Sequence, residues 1–236
     1  MQTIGLFFKV LWSPGEAMFL LSKNPRVLAP MLFLTLCSVL ATIAVQTKVK
    51  FGELYMNMLA VTPQLAQMPE EAKANMQRLM NSPAINGVFI GFAIVGPLLM
   101  ILIVTALYFG AFTIAGREGG FKAFLSITAF AFVPIIFSYI AMIVRAFVVV
   151  PSLLMLDEIG SLSPAPFLDR GAVTPLVFAA INSIDLVTIW TLILLVIGYS
   201  FVTPKSQSKV TRALVVFGVF AVYLALKLAG PALQSL

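Results

Sequence analysis

Five long apolar stretches divide this chain of 236 residues, and its charged residues lie almost entirely in the gaps between them. Each stretch has about the 20 residues that an α-helix needs to cross the hydrocarbon core of a bilayer. The composition, 61% hydrophobic and 10% charged, also differs strongly from that of soluble domains. Because lipid gives the backbone no hydrogen-bonding partner, we predict an all-α integral membrane protein with five transmembrane helices. The predicted spans are residues 28–45, 85–111, 124–144, 178–202 and 213–228.

The connections between the spans indicate how the chain is oriented. Cytoplasmic connections usually carry the excess of lysine and arginine, and here the short connections on the side of the N-terminus are nearly pure in positive charge. We therefore expect a multi-pass protein of the cytoplasmic (inner) membrane, with its N-terminus cytoplasmic and its C-terminus extracytoplasmic. The formal charge of +6 then faces anionic headgroups, so membrane lipids, and not nucleic acid, are the expected partners of the basic residues. The chain is interpreted as one membrane domain, 1–236, with an interfacial cytoplasmic segment at 1–27 and an extracytoplasmic loop at 46–84.

The cytoplasmic segment begins with the pattern of an amphipathic helix. Ile4, Phe7, Phe8 and Leu11 are spaced at i, i+3, i+4 and i+7, which places them on one helix face, and Trp12 follows. An aromatic face of this kind is typical of helices that lie in the plane of the membrane surface. We predict that Phe7, Phe8, Leu11 and Trp12 anchor this segment at the inner membrane surface.

A second amphipathic helix is predicted in the extracytoplasmic loop. From Pro69 onward, acidic residues occupy a first turn and Arg78 a last turn, which suits the helix dipole. One face is apolar and rich in methionine, whose unbranched thioether adapts to irregular partners. This face either docks another protein or lies back on the chain's own helices or on the outer leaflet. The residues of this methionine surface are Met68, Met76, Leu79 and Met80.

Two prolines, Pro97 and Pro134, lie near the middle of the second and third predicted spans, at similar depth. A proline inside a helix removes a backbone hydrogen bond and bends the helix, which neighbouring groups or water can compensate. Paired bends mark a hinge or a substrate path in transporters with broken helices, and in other proteins they are packing features. Both roles stay open for this pair.

Asp185 is an acidic residue within the fourth apolar stretch. An ionisable group at membrane depth costs about 2.5 to 3.5 kcal/mol on insertion scales and is therefore a candidate functional site. Its carboxylate also fits the first turn of a helix that starts at Ser183, and Arg145 ends the third span at the same face. Asp185 and Arg145 are accordingly predicted to form a structural cap or ion pair, or else a proton or ligand site.

Residues for catalysis, cofactors and metals are scarce. The chain has no histidine and a single cysteine, Cys37, which excludes an imidazole base, a Ser-His-Asp triad and the usual zinc clusters. Neither of the common glycine-rich phosphate-binding motifs occurs. The acids Asp157, Glu158 and Asp169 are interpreted as solvated charges of an outer loop. We predict that the protein is not an enzyme and uses no cofactor or metal.

Three blocks spread over the chain form a recognisable pattern. They are VLWSPGEA at 10–17 with Asn24-Pro25, GGFKAF at 119–124 with FVP at 132–134, and Ile189-Trp190 with Leu194 and Gly198 before a basic tail. This pattern resembles bacterial members of the Yip (Ypt-interacting protein) family. The resemblance covers essentially the whole chain and implies five spans, with the N-terminus inside and the C-terminus outside.

The resemblance also implies two kinds of function. Eukaryotic relatives are associated with Rab-type GTPases and early secretory vesicles through a longer cytoplasmic N-terminal region, and some bacterial relatives accompany ABC-type exporters as accessory proteins. With about 27 residues before its first span, this chain favours the accessory role over that of a GTPase-binding trafficking factor. We predict a non-catalytic scaffold or accessory subunit of a membrane complex, with an ABC-type exporter as the expected partner. The alternative is a small transporter or lipid-handling protein that uses Asp185 and the bends at Pro97 and Pro134.

Overall fold

All regular structure in the described part of the chain is helical. A computed structural model describes residues 3–60, 68–170 and 172–234, so residues 61–67 of the predicted outer loop lie outside it. The predicted all-α class is confirmed for these ranges. The helices are α1 (Thr3–Trp12), α2 (Pro14–Lys23), α3 (Leu28–Gln46), α4 (Phe51–Ala60), α5 (Glu70–Met80), α6 (Pro83–Ala115), α7 (Phe121–Ala131), α8 (Ile135–Val148), α9 (Pro175–Ser183), α10 (Leu186–Tyr199) and α11 (Lys209–Gln234), with 3₁₀ turns at Pro151–Leu153 and Ala165–Phe167.

Four segments of the described chain are long and apolar enough to cross a membrane, and they match the first, second, third and fifth predicted spans. The fourth predicted span, 178–202, is instead a pair of helices, α9 and α10, bent by 50° at the break between them. A fifth span exists only if this bent pair is counted as one. The membrane-spanning character is therefore clear, whereas the number five stays a prediction. The four segments are Leu28–Gln46, Pro83–Ala115, Phe121–Val148 and Lys209–Ala232.

Hydrogen bonds between distant parts of the chain define the two ends of the helix bundle. At one end, the amides of Glu118 and Gly119 donate to the carbonyl of Val202 at 2.9 and 3.0 Å. At the other end, Gln46 Nε2 donates to the carbonyl of Asn86 at 3.2 Å. We call the end with Gln46 the outer end and the opposite end the inner end, following the predicted orientation. Which end faces the cytoplasm stays a prediction.

The main core lies towards the inner end and is built around aromatic rings. Tyr199 of α10 is completely buried, and its ring stacks on that of Phe124 of α7 at 4.9 Å between centroids. The Tyr199 hydroxyl lies 2.8 Å from Thr128 Oγ1, so this buried phenol has the polar partner that it needs. A Cβ added to the adjacent Gly198 would lie 2.3 Å from Ile127 Cγ2. Glycine at this position therefore allows α10 and α7 to pack in close contact.

The first two helices are part of this core and do not only lie on its surface. Leu6 and Val10 of α1 are buried, as are Met18 and Leu21 of α2. They pack against the aromatic rings of α7 and α10. The segment predicted as interfacial is thus also a structural part of the bundle, because other helices cover the side of it that carries these four residues.

Candidate functional site

Asp185 lies in the break between α9 and α10 and is the N-cap of α10. Its Oδ1 accepts a hydrogen bond from the amide of Thr188 at 2.7 Å. This contact satisfies one of the amides that a helix start leaves unpaired, and it places negative charge at the positive end of the helix dipole. Ser183 does not begin the helix as predicted, because its hydroxyl donates to the carbonyl of Ala179 at 2.6 Å and it ends α9. Of the roles predicted for Asp185, the helix cap is therefore the one that its contacts in the structure fit.

Arg145 makes a different set of contacts from those predicted. Its Nη1 donates to the backbone carbonyls of Glu158 and Ile159, the latter at 3.4 Å. Among the described residues no ion pair joins Arg145 to Asp185. The predicted pair is absent because the loop that follows α8 folds back and occupies the guanidinium. Arg145 thus ties the outer end of α8 to that loop.

The loop between α8 and α9 is held by charges that the sequence suggested were solvated. Arg170 Nη2 binds both carboxylate oxygens of Asp157 at 2.7 and 2.8 Å, and Arg170 Nε binds Glu158 Oε1 at 2.7 Å. The guanidinium also lies 3.9 Å from the ring centroid of Phe178. Asp157 is exposed, as the solvated interpretation requires, whereas Glu158 is half-buried. The two carboxylates share one arginine because the loop turns back on itself.

Pro97 and the break at Pro134 are close to the same cleft. The helix α6 continues through Pro97, whereas Pro134 separates α7 from α8. The cleft has a volume of about 270 Å³ and lies between α3, α6 and α8, with Pro97, Phe132 and Ile135 in its wall. Its wall is mostly apolar. Pro97 therefore lines this cleft, whereas Pro134 lies between the lining residues Phe132 and Ile135 and does not line it.

This cleft, which we call the proline cleft, has few polar groups in its wall. They include the hydroxyls of Ser38 and Tyr139, which form a side-chain hydrogen bond with each other. Neither Asp185 nor Arg145 is among the lining residues. A path that joins the prolines to Asp185, as the transporter alternative requires, is not part of this cleft.

Three residues of the methionine surface, Met76, Leu79 and Met80, lie on α5, and Met68 precedes this helix. Leu79 is 57% exposed, and Met68, Met76 and Met80 are half-buried. The end of α5 packs tightly on α4, since a Cβ added to Gly52 would lie 1.9 Å from the carbonyl oxygen of Met80. The helix thus rests on the chain's own structure on one side and leaves Leu79 uncovered on another.

The four predicted anchor residues of α1 do not share one environment. Phe8 and Trp12 are 63% and 84% exposed, and Leu11 is half-buried. Phe7 instead packs inward, with its ring 4.6 Å from that of Phe33. The difference arises because the bundle covers the helix side that carries Leu6, next to Phe7. Phe8, Leu11 and Trp12 remain available to a membrane surface.

Sequence reasoning missed a group of charged residues at the outer end. Lys48, Lys50 and Glu53 line one polar pocket together with amide side chains of α5. The signal in the sequence is two lysines directly after an apolar stretch. Within the described residues, no cluster of three or more acidic or cysteine side chains is arranged to hold a metal ion.

Comparison with known proteins gives one clear match. No curated protein and no solved structure matches the chain. The family model of the Yip1 domain matches residues 8–229, nearly the whole chain. The match begins at Phe8 within α1 and includes α2, the proline cleft and the bent pair α9 and α10. The chain therefore belongs to the Yip1 domain family.

Proposed function

We propose that the chain is a non-catalytic scaffold or accessory subunit of a membrane complex, and that it contacts its partner through the methionine surface. The Yip1 family is a family of non-enzymatic membrane proteins. The observation that carries the proposal is that α5 contains no buried residue, although α4 and α6 on either side of it in the sequence both do. An exposed leucine on a helix that its own fold leaves largely uncovered supports a docking role.

The support beneath α5 is well ordered by specific contacts. Asn57 of α4 donates both of its amide hydrogens, to the carbonyls of Pro151 and Leu154, each at 2.9 Å. The ring of Phe51 at the start of α4 stacks on Phe89 of α6 at 4.8 Å between centroids. A surface held in place by such contacts has less conformational entropy to lose on docking, which favours affinity.

An ABC-type exporter is the proposed partner class. Some bacterial proteins that the chain resembles accompany such exporters, and the methionine surface lies at the end of the bundle that is predicted to face the extracytoplasmic side. Flexible thioether side chains suit a partner whose surface is irregular. Docking at this end would leave the inner helices α1 and α2 in their contacts with the core.

The test is co-purification of the tagged full-length protein from its native membrane in mild detergent. Leu79→Glu places a carboxylate in the proposed contact, and we expect recovery of exporter subunits to fall by roughly tenfold or more, because burying an unpaired charge is costly. Ala74→Glu is the matched control, since Ala74 is also exposed on α5 but lies outside the methionine surface. Equal recovery with both variants, or the absence of any exporter subunit from the wild-type sample, contradicts the proposal.

A second function, lipid handling, is favoured by the proline cleft. An apolar cleft of about 270 Å³ between membrane-spanning helices suits part of an acyl chain. Met100→Trp narrows the cleft, and we expect it to slow lipid movement between leaflets of reconstituted vesicles, measured with a fluorescent lipid. The control is Leu107→Trp, at an exposed position of the same helix that does not line the cleft. Equal lipid movement in the wild type and in protein-less vesicles rejects this function.

A further inference from the structure

A polar pocket opens at the outer end, between the turn that joins α3 to α4 and the helix α5. Its volume of about 590 Å³ falls within the range of roughly 300 to 1,000 Å³ that is typical of small-molecule sites. Lys48, Lys50 and Glu53 contribute charge, and Gln77 and Asn81 contribute side-chain amides. Polar groups dominate this lining, in contrast to the proline cleft. A ligand for it must therefore be polar and charged.

The charges of this pocket are not neutralised by one another. In the described structure, none of Lys48, Lys50 and Glu53 takes part in an ion pair, whereas Lys73 of α5 binds Glu70 at 2.7 Å. The Lys48 ammonium lies 5.0 Å from the ring centroid of Phe147, an interaction that orients the side chain without cancelling its charge.

A buried polar atom in the pocket wall also lacks a partner. Asn81 Oδ1 is inaccessible to solvent and makes no hydrogen bond. Buried polar atoms in folded proteins nearly always have a partner, so an unpaired one beside a cavity needs an explanation. Because no water can reach this atom, a ligand in the pocket would become its partner only after the Asn81 side chain turns towards the pocket.

The depth of the pocket matches the headgroup region of a bilayer. The helix α3 has 19 residues and is therefore about 28 Å long, close to the roughly 30 Å of the hydrocarbon core. Lys48 and Lys50 follow shortly after its last residue, Gln46. Carbonyls in its last turn accept hydrogen bonds from the amides of Thr47 to Val49.

We propose that this outer pocket binds a zwitterionic phosphate headgroup of the phosphoethanolamine type. Lys48 and Lys50 bind the phosphate, since ammonium groups form strong charge-assisted hydrogen bonds with phosphate oxygens. Glu53, half-buried at the start of α4, binds the ammonium group of the same ligand. Two cations and one anion in one pocket fit a ligand that carries both signs of charge better than a purely anionic one. The inference is independent of whether the methionine surface docks a protein.

The test is a binding titration of the full-length protein, purified and delipidated in a detergent without phosphate. The probes are phosphoethanolamine and glycerol phosphate, which share the phosphate but differ in the ammonium group. We expect the wild type to prefer phosphoethanolamine. Lys48→Gln combined with Lys50→Gln should weaken binding of both probes by roughly tenfold or more, the loss of at least one charge-assisted hydrogen bond. Lys73→Gln, which removes a charge from α5 outside the pocket, should bind both probes as the wild type does.

Glu53→Gln tests the binding of the ammonium group separately from the binding of the phosphate. It should abolish the preference for phosphoethanolamine while retaining the binding of glycerol phosphate. Because both lysines are exposed, the double variant should keep the wild-type melting temperature; if it does not, Glu53→Gln alone decides. The proposal is overturned if the preference for phosphoethanolamine survives Glu53→Gln.

A third probe, short-chain phosphatidylethanolamine, distinguishes the source of the headgroup. Binding at least tenfold tighter than that of phosphoethanolamine supports a membrane lipid as the ligand. Equal affinity supports a water-soluble phosphate compound with the same chemistry. Failure of all three probes overturns the site, and it leaves the docking role of α5 to be decided by its own co-purification test.

Discussion

Replacing Asp185 by alanine removes the side-chain acceptor that caps α10 through the Thr188 amide at 2.7 Å. Losing an N-cap costs about 0.5 to 2 kcal/mol, and losing a negative charge at a helix start costs about 0.3 to 1 kcal/mol. We therefore expect Asp185→Ala to lower the free energy of unfolding by about 1 to 3 kcal/mol. Asp185→Asn keeps the acceptor and loses only the charge, so its expected cost is about 0.3 to 1 kcal/mol.

Denaturation of the purified protein in detergent measures this order, with the wild type most stable, the asparagine variant next and the alanine variant least stable. The control is Thr174→Ala, which removes the corresponding cap of α9. The Thr174 hydroxyl accepts from the Val177 amide at a longer distance, 3.3 Å, so its loss should cost less. An asparagine variant as unstable as the alanine variant would show that the charge of Asp185 matters and the cap does not. An alanine variant as stable as the wild type would refute the cap altogether.

Two further substitutions test contacts within the fold. Arg170→Gln should lower the free energy of unfolding by about 2 kcal/mol, because it removes the arginine that binds Glu158; the cost stays below the 3 to 5 kcal/mol of a fully buried pair, since the Glu158 side chain is 15% exposed. Combining Arg170→Gln with Glu158→Gln should cost less than the sum of the two single changes. If the two costs simply add in denaturation experiments, the two residues are not coupled. Gly198→Ala places a Cβ 2.3 Å from Ile127 Cγ2 and should destabilise by about 1 to 3 kcal/mol, with partial recovery on adding Ile127→Leu, which removes the Cγ2 branch. A wild-type melting temperature for Gly198→Ala would contradict the close approach of α10 and α7.

The positions of the long helices could be predicted closely from the sequence. The predicted span 28–45 corresponds to α3, Leu28–Gln46, and the predicted span 85–111 lies inside α6, Pro83–Ala115. The reason is physical, since a bilayer imposes one length of apolar chain and excludes most charges from it. The same pattern could not separate Pro97, through which α6 continues, from Pro134, which is the N-cap of α8.

The environment of Asp185 could be predicted only as one of several alternatives. A capping carboxylate and a functional carboxylate have the same sequence signature inside an apolar stretch. The polar run from Asn182 to Asp185 was a sign of the break, yet its bend of 50° depends on how α9 and α10 pack on their neighbours. The contacts of Arg145 likewise depend on a loop that folds back to it.

The candidate ligand site was not predictable as a site. Lys48, Lys50 and Glu53 are close in sequence, but Gln77 and Asn81 reach the same pocket only because α5 folds back over α4. That approach requires Gly52 at the point where the Met80 carbonyl lies. A glycine in a loop carries no such information by itself.

The sequence by itself determined that this is a helical membrane protein, where its long apolar helices lie and that it has no histidine for imidazole chemistry. Hydrophobic length and composition are properties of the chain alone, so no fold is needed to establish them. Only the tertiary structure decided which face of α1 is buried, which carboxylates share Arg170 and which polar groups surround the outer pocket. Those features depend on how each helix is rotated about its axis and on how closely segments of the chain approach each other at Gly52 and Gly198. Both the rotation and the approach are set by the packing of residues far apart in the chain.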